Sequence, residues 1–185
     1  MLLPNLSLSS GIGEIEEFLH TEFLYSYAPE CRMMPGGKVP AITNEADNKI
    51  VPMKWGLEIF PGNSATPWLR SEGIISRAGA RILIRMQRCL VLTNCFFIRK
   101  EQSVYLIYHP GEKILALAGV WKSALIQDRP KEASIAVLTR ESPPALKKIA
   151  LRVPVIISRS LLRKYLNIKC PLMDITGILG SNRYP

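Results

Sequence analysis

The sequence predicts an α+β fold, mainly antiparallel, with a barrel-like curled sheet and flanking helices. Short β runs bounded by turn residues outnumber the amphipathic helical segments. Most of these runs are joined by hairpin-length loops, which favours antiparallel pairing. The 185 residues, 48% of them hydrophobic, contain no repeat, low-complexity tract or linker, so a single domain over 1–185 is the simplest organisation.

Leu6 to Ser10 reads as a short strand ending in a cap. Ile12, Ile15, Phe18, Leu19 and Phe23 recur at three- and four-residue intervals, predicting a helix over 12–24 with Ser10 or Gly11 as N-cap. Residues 25–37 carry Pro29, Pro35, Gly36 and Gly37 and read as loop. Val39 to Thr43 and Lys49 to Leu57 form a predicted hairpin, with Pro40 and Pro52 placing parts of it at an edge. Residues 58–72 read as an irregular surface loop.

In residues 73–87, Arg77, Arg81, Arg85 and Arg88 would share one helical face, with Ile82, Leu83 and Met86 toward the core. Cys89 to Leu92 and Cys95 to Ile98 are apolar β runs broken by the turn-prone pair Thr93-Asn94, and so apolar a run belongs in mid-sheet. Val104 to Tyr108 and Ile114 to Trp121, around a Pro110-Gly111 turn, predict a second hairpin. Ser134 to Thr139 and Val153 to Ile157 are the remaining strands. Ser158 would cap a helix carrying Leu161, Leu162, Tyr165 and Leu166, and the tail from Pro171 is loosely patterned.

Lys and Arg number 24 against 15 Asp and Glu, a formal charge of +9. That balance favours polyanionic partners, nucleic acid before acidic membrane surfaces. The four cysteines have no C-x-x-C spacing and the two histidines are remote from them, so neither metal nor cofactor is expected. The start lacks the basic and apolar regions of a signal peptide, and no window reaches the roughly 18 apolar residues of a membrane span. A cytoplasmic location without membrane attachment is the expectation.

Arg88-Cys89-Leu90-Val91-Leu92-Thr93-Asn94-Cys95-Phe96-Phe97-Ile98-Arg99-Lys100 resembles the R-C-L-V-P-A-D-G-F-Y-E-W-K segment of the SRAP family, the SOS response-associated peptidases that cap abasic sites in single-stranded DNA. Other stretches resemble family motifs in the same order. Asn5 to Ser10 is similar to R-Y-S-L-S-S, Val39-Pro40-Ala41-Ile42 to V-P-V-I, and Trp55-Gly56-Leu57 to W-G-L. Arg77-Ala78 is similar to the second half of N-A-R-A-E-T, and Ala116 to Trp121 to F-A-G-L-W. Leu138 to Glu141 is similar to L-T-T-E, and Arg152 to Ile157 to R-M-P-V-I-L.

The resemblance implies a DNA groove lined by arginines and aromatic residues. It also implies an N-terminal cysteine that condenses with the abasic aldehyde to a thiazolidine, helped by an asparagine, a glutamate and a histidine. Here those positions fall on Leu3 (or Leu2), Ile75 (or Ser76), Ile98 and Ala150 (or Lys147), so no catalytic residue carries over. No H-E-x-x-H, G-x-S-x-G or Walker loop replaces them.

The site residues expected to bind nucleic acid are Arg77, Arg152, Trp55, Arg81, Arg85 and Arg88. The arginine stripe would grip phosphates, or is a solvated helix face. Trp55 and Phe97 would stack bases, or pack in the core. Arg152 lines the family pocket, or holds a structural ion pair, and Glu141 is a pocket acid or a strand-end cap. The expected function is that of a catalytically degenerate SRAP protein of the DNA damage response, binding single-stranded or abasic DNA non-covalently. The alternatives are a protein-interaction module whose partner is unknown, and a peptidase- or lyase-like enzyme with an unrecognised site.

Overall fold

In the computed structural model the described residues are 5–60, 62–123, 125–126, 129–130 and 133–181. The chain runs β1 (Asn5–Leu8), α1 (Ile12–Leu19), β2 (Glu22–Phe23), β3 (Glu30–Met33), β4 (Lys38–Thr43), β5 (Ala46–Trp55) and β6 (Trp68–Arg70). A 3₁₀ turn at Ile74–Ser76 leads into α2 (Ala78–Met86), then β7 (Arg88–Thr93), β8 (Cys95–Lys100), β9 (Ser103–Tyr108) and β10 (Leu115–Lys122). The small pair β11 (Leu125–Ile126) and β12 (Arg129–Pro130) is followed by β13 (Ser134–Glu141), β14 (Arg152–Pro154) and β15 (Ile156–Ile157). A second 3₁₀ turn at Arg159–Leu161 precedes α3 (Leu162–Leu166) and α4 (Leu172–Gly180).

The fold is α+β, mostly sheet and mainly antiparallel. The larger sheet orders its strands β14-β13-β10-β7-β4-β5-β2, with β15 on β10 and β6 on β13. It curls until β13 meets β5 in parallel over Ser134↔Lys54 and Ile135↔Trp55, giving a ring-like sheet that is not a closed barrel. A four-stranded sheet, β3-β1-β8-β9, packs beside it.

The apolar run at 89–98 lies where its composition demands. All six residues of β7 are buried between β4 and β10. Close approach on that ladder requires Gly119, opposite Cys89. A Cβ there would stand 2.8 Å from Cys89 Sγ and 3.2 Å from the Ala136 carbonyl.

Thr93-Asn94 does not fold β7 and β8 into a hairpin. It carries the chain from the larger sheet to the smaller, where β8 pairs with β1 and β9. Thr93 Oγ1 donates to the Ser7 carbonyl at 2.8 Å, and Asn94 Oδ1 accepts the Ser9 N–H at 2.6 Å. Asn94 Nδ2 donates to Ser10 Oγ at 3.0 Å and to the Lys113 carbonyl at 2.5 Å. The pair therefore fastens the end of β1 to the crossover.

Several expectations are corrected. The hairpin partner of β9 is β8, joined through Glu101-Gln102 with Glu101 at φ 53°, while β10 turns away to β7. The helix expected over 12–24 ends at left-handed His20, and Phe23 leaves it to pair beside Ile50. Loop residues 25–37 and 58–72 each contain a strand, β3 and β6, the latter burying Trp68 and Leu69. Ser158 makes no side-chain cap, and the tail from Pro171 forms α4, which buries Ile175, Ile178 and Leu179.

Pro40 and Pro52 face each other inside the hairpin of β4 and β5, and β4 is not an edge. Trp55 N–H donates to the Gly37 carbonyl at 2.8 Å, so alternation makes the Pro40↔Pro52 pair one that exchanges no hydrogen bond. Outward, β7 meets β4 only from Ala41 to Thr43, and β5 is met on its far side at Lys49–Ile50 and Lys54–Trp55. Both prolines occupy gaps in those ladders, where no donor is needed.

Candidate nucleic-acid interface

Helix α2 follows Arg77, whose extended backbone (φ −93°, ψ 111°) sets the helix start. Its inward face is Ala80, Leu83 and Ile84, all buried. This corrects the expected core face, because Ile82 and Met86 are 63% and 49% exposed. The outward face carries Arg77, Arg81 and Arg85 in one row, with successive Cα atoms about 6 Å apart along the axis. Their guanidinium groups make no hydrogen bond or ion pair with any described residue, so all three charges face solvent.

Arg81 stands between two hollows. One, of about 600 Å³, is walled by Ser71, Glu72, Ile75, Ser76, Arg140 and Leu179. Arg140 is held in that wall because its Nη1 donates to the carbonyls of Gly180 (3.0 Å) and Ser181 (2.5 Å), at the C-terminal end of α4. The other, of about 410 Å³, lies against Arg85, Lys169, Cys170 and Leu172. Positive charge thus continues past the helix on both sides.

Arg88 is not part of this row. It opens β7, is 1% exposed, and distributes its donors among four main-chain carbonyls. Nε donates to Tyr165 (2.5 Å), Nη1 to Ile84 (2.7 Å) and Arg85 (2.8 Å), and Nη2 to Asn167 (2.6 Å). These are the open carbonyls that end α2 and α3, so one guanidinium caps two helices. The spacing from Arg85 suggested a shared face, but the helix stops at Met86 and the strand turns residue 88 inward.

Trp55 is likewise in the interior. It is 0% exposed, donates Nε1–H to the Pro67 carbonyl at 2.9 Å and meets Trp68 edge-on with ring centroids 4.9 Å apart. No base can reach it to stack. Phe97 is half-buried on the outer face of β8, and His109 sits in the turn after β9 with Nδ1 accepting the Gly111 N–H.

Arg152 is held in a structural ion pair. Its side chain is 11% exposed, and Nη2 donates to Glu72 Oε2 at 2.5 Å and to the Thr139 carbonyl at 2.7 Å. Glu72 Oε1 accepts the Glu141 N–H at 2.8 Å, so the cluster ties the loop after β6 to the ends of β13 and β14. Partial burial pushes the Glu72 carboxyl up. The hydrogen bonds from Arg152 and Glu141 and the Arg152 charge outweigh that and hold it below its ordinary value.

A carboxyl depressed in the folded state adds stability above its unfolded pKa and loses it as pH falls through the folded value. Glu72→Gln is expected to lower the melting temperature at neutral pH, with the gap to the parent closing in acid. Because the Glu72 side chain is 48% exposed, the effect should stay under about 1 kcal/mol. Paired thermal melts across pH check this.

The positions matched to the family's reacting residues are apolar or uncommitted. Ile98 is 1% exposed on the inner face of β8, and Ile75 and Ala150 are half-buried against the same core. Ser76 donates its hydroxyl to the Gly73 carbonyl, and Lys147 is exposed. Leu2 and Leu3 lie outside the described residues. Among the described residues no cluster of His, Cys, Asp and Glu could hold a metal ion, and no helix is long and apolar enough to cross a membrane.

A curled α+β sheet headed by a buried arginine, with a basic helix beside a hollow, defines the scaffold. Residues 7–177 match the family SOS response associated peptidase (SRAP), and the chain belongs to that family. No curated protein matches it. Among solved structures it is similar to a protein from Bacteroides thetaiotaomicron, at 20% identity and TM-score 0.82 over 95% of this chain and 85% of that one. A protein from Bordetella bronchiseptica matches at 16% identity and TM-score 0.81, over 100% and 95% of the two chains. A phage-related protein from the same organism matches at 18% identity and TM-score 0.74, over 95% and 86%. At such identities these likenesses show the fold.

Proposed function

We propose that the protein is a catalytically degenerate SRAP protein that binds single-stranded or abasic DNA without covalent capture, as part of a DNA damage response. The observation that carries this reading is the exposed row Arg77, Arg81 and Arg85, without a partner among the described residues, on a chain of formal charge +9. Phosphates are gripped by such cations, and release of their counterions makes the binding fall with salt. Ile98 in the core, with Ile75 and Ala150 packed against it, supports the loss of chemistry, since none of the three can move a proton.

Fluorescence anisotropy with a labelled single strand tests the reading across a salt series. Binding is expected at low salt and should weaken steeply as salt rises. The triple variant Arg77→Ala, Arg81→Ala, Arg85→Ala should flatten the log–log salt slope by about 2, at roughly 0.7 per phosphate contact. No binding at low salt, or binding indifferent to salt, overturns it.

A second reading, that of a protein-interaction module, is favoured by strand β9, which has no described strand on its outer side and leaves Val104, Leu106 and Tyr108 at least half exposed. Partners that survive nuclease treatment of a lysate would support it over DNA binding.

A further inference from the structure

Arg88 is a buried cation without a counter-charge. It is 1% exposed and forms no ion pair with any described residue. Its hydrogen bonds use Nε–H, both Nη1 hydrogens and one on Nη2, all on carbonyls. A guanidinium has five such donors, so the second Nη2 hydrogen has no acceptor among the described residues. Buried charges are normally paired, and this one calls for an anion.

Arg88 belongs to the wall of the smaller hollow beside Arg81, about 410 Å³ in volume. Arg81, Arg85 and Lys169 line the same space, and no described Asp or Glu does. Pro171 and Leu172, also in the wall, form the start of α4. Pro171 provides no side-chain cap, and the N–H groups of Leu172 and Met173 find no acceptor among the described residues. Such N–H groups carry the positive end of a helix dipole. The acid of that first turn, Asp174, is engaged by Lys164, Oδ2 to Nζ at 2.8 Å. The carbonyl ends of α2 and α3, which would repel an anion, are the ones that Arg88 covers.

Four cations and an open helix start around one hollow suit a small oxyanion. An internal phosphodiester carries one negative charge, whereas a terminal phosphate carries about −1.5 to −2 at neutral pH. The excess of positive charge favours the second. The row Arg77, Arg81 and Arg85 runs along α2 toward this hollow, so a strand that follows the row brings its end there.

We propose that the hollow is a phosphate-monoester site that takes the terminal phosphate of a nucleic-acid strand. Arg81, Arg85 and Lys169 supply mobile donors, while Arg88 and the start of α4 supply fixed positive charge. The source of the phosphate rests on the single-strand reading above, and the preference for a phosphate dianion does not.

Fluorescence anisotropy on the full chain compares three internally labelled strands of one sequence, ending in a 5′-phosphate, a 3′-phosphate or hydroxyls only. One phosphorylated strand is expected to bind about tenfold tighter than the hydroxyl strand, the effect of roughly one net charge-assisted hydrogen bond. Inorganic phosphate, with ionic strength held constant by chloride, should erase that preference. Lys169→Glu, at an exposed position, should cut it to less than about twofold. Circular dichroism checks that this variant is folded, and Lys169→Ala replaces it if it is not. Equal binding of all three strands, or a preference that survives the Lys169 variant, overturns the site while the single-strand reading stands. If no strand binds, that reading fails, and the melting temperature in inorganic phosphate decides the site. A rise over chloride at equal ionic strength that disappears in the Lys169 variant supports the phosphate site, and no such rise overturns it.

Discussion

Incubated with a single-stranded oligonucleotide carrying an abasic site, the protein is expected to leave no heat-stable shifted band on a denaturing gel. A thiazolidine forms only where an amine and a thiol sit on adjacent carbons, as they do in an N-terminal cysteine. The matched position is Leu3 or Leu2, and Cys31, Cys89, Cys95 and Cys170 all have their nitrogens in peptide bonds. Cys89 is further withdrawn, since full burial pushes its thiol far above the ordinary value. The family's glutamate and histidine would each contribute about 10²–10⁴-fold by proton transfer, and Ile98 and Ala150 supply none of it. A lysine Schiff base would hydrolyse during heating. A band that survives heat without reductant would overturn the expectation, whereas a band seen only after borohydride would identify a lysine.

Replacing Arg88 is expected to be among the most damaging single changes in the chain. Arg88→Met keeps much of the volume but strips the donors from the carbonyls of Ile84, Arg85, Tyr165 and Asn167 at once. The cost should be about 3–5 kcal/mol, since unsatisfied buried acceptors cost about 1–3 kcal/mol each and some of these will find water. Arg88→Lys should recover little, because an ammonium cannot span four acceptors in a planar fork. Arg81→Ala, on the exposed face of the helix that Arg88 caps, should change stability by less than about 0.5 kcal/mol. Urea denaturation of the three variants compares them directly. A loss below about 1 kcal/mol for Arg88→Met would show that the capping role is wrong.

Local pattern carried much of the fold. The alternation and breakers around Val39 to Leu57 sufficed for the hairpin of β4 and β5, and the apolar run at Cys89–Leu92 sufficed for a central strand. Strand partnership was less legible. Pro110-Gly111 is a strong turn signal, and a turn does form there, yet the hairpin closes at Glu101-Gln102, which lacks the glycine or asparagine such turns favour. Whether β9 returns along β8 or β10 depends on which sheet each joins, a property of the whole molecule. The same limit hid α4, whose apolar residues are interrupted by Gly177 and whose Ile175, Ile178 and Leu179 are buried in the common core.

For the candidate site, the four-residue spacing of Arg77, Arg81 and Arg85 was enough to place them on one face. It could not show that Arg88 lies beyond the helix end, because a one-residue change from helix to strand reverses the direction of a side chain. A tryptophan in the Lys49 to Leu57 run fits core packing or a stacking platform, and only the distant Trp68 and Pro67, which meet Trp55 in the fold, decide for the core. The Glu72 to Arg152 pair joins residues 80 apart, and no local spacing announces it.

Arginine side-chain NMR during titration with a single-stranded oligonucleotide addresses the nucleic-acid reading most directly. The Nε–H signals of Arg77, Arg81 and Arg85 are expected to shift together and saturate, while those of Arg88 and Arg152, already bonded to Tyr165 and Thr139, stay in place. Saturable binding that leaves the three α2 arginines unmoved would contradict the account, as would a titration with no change at all.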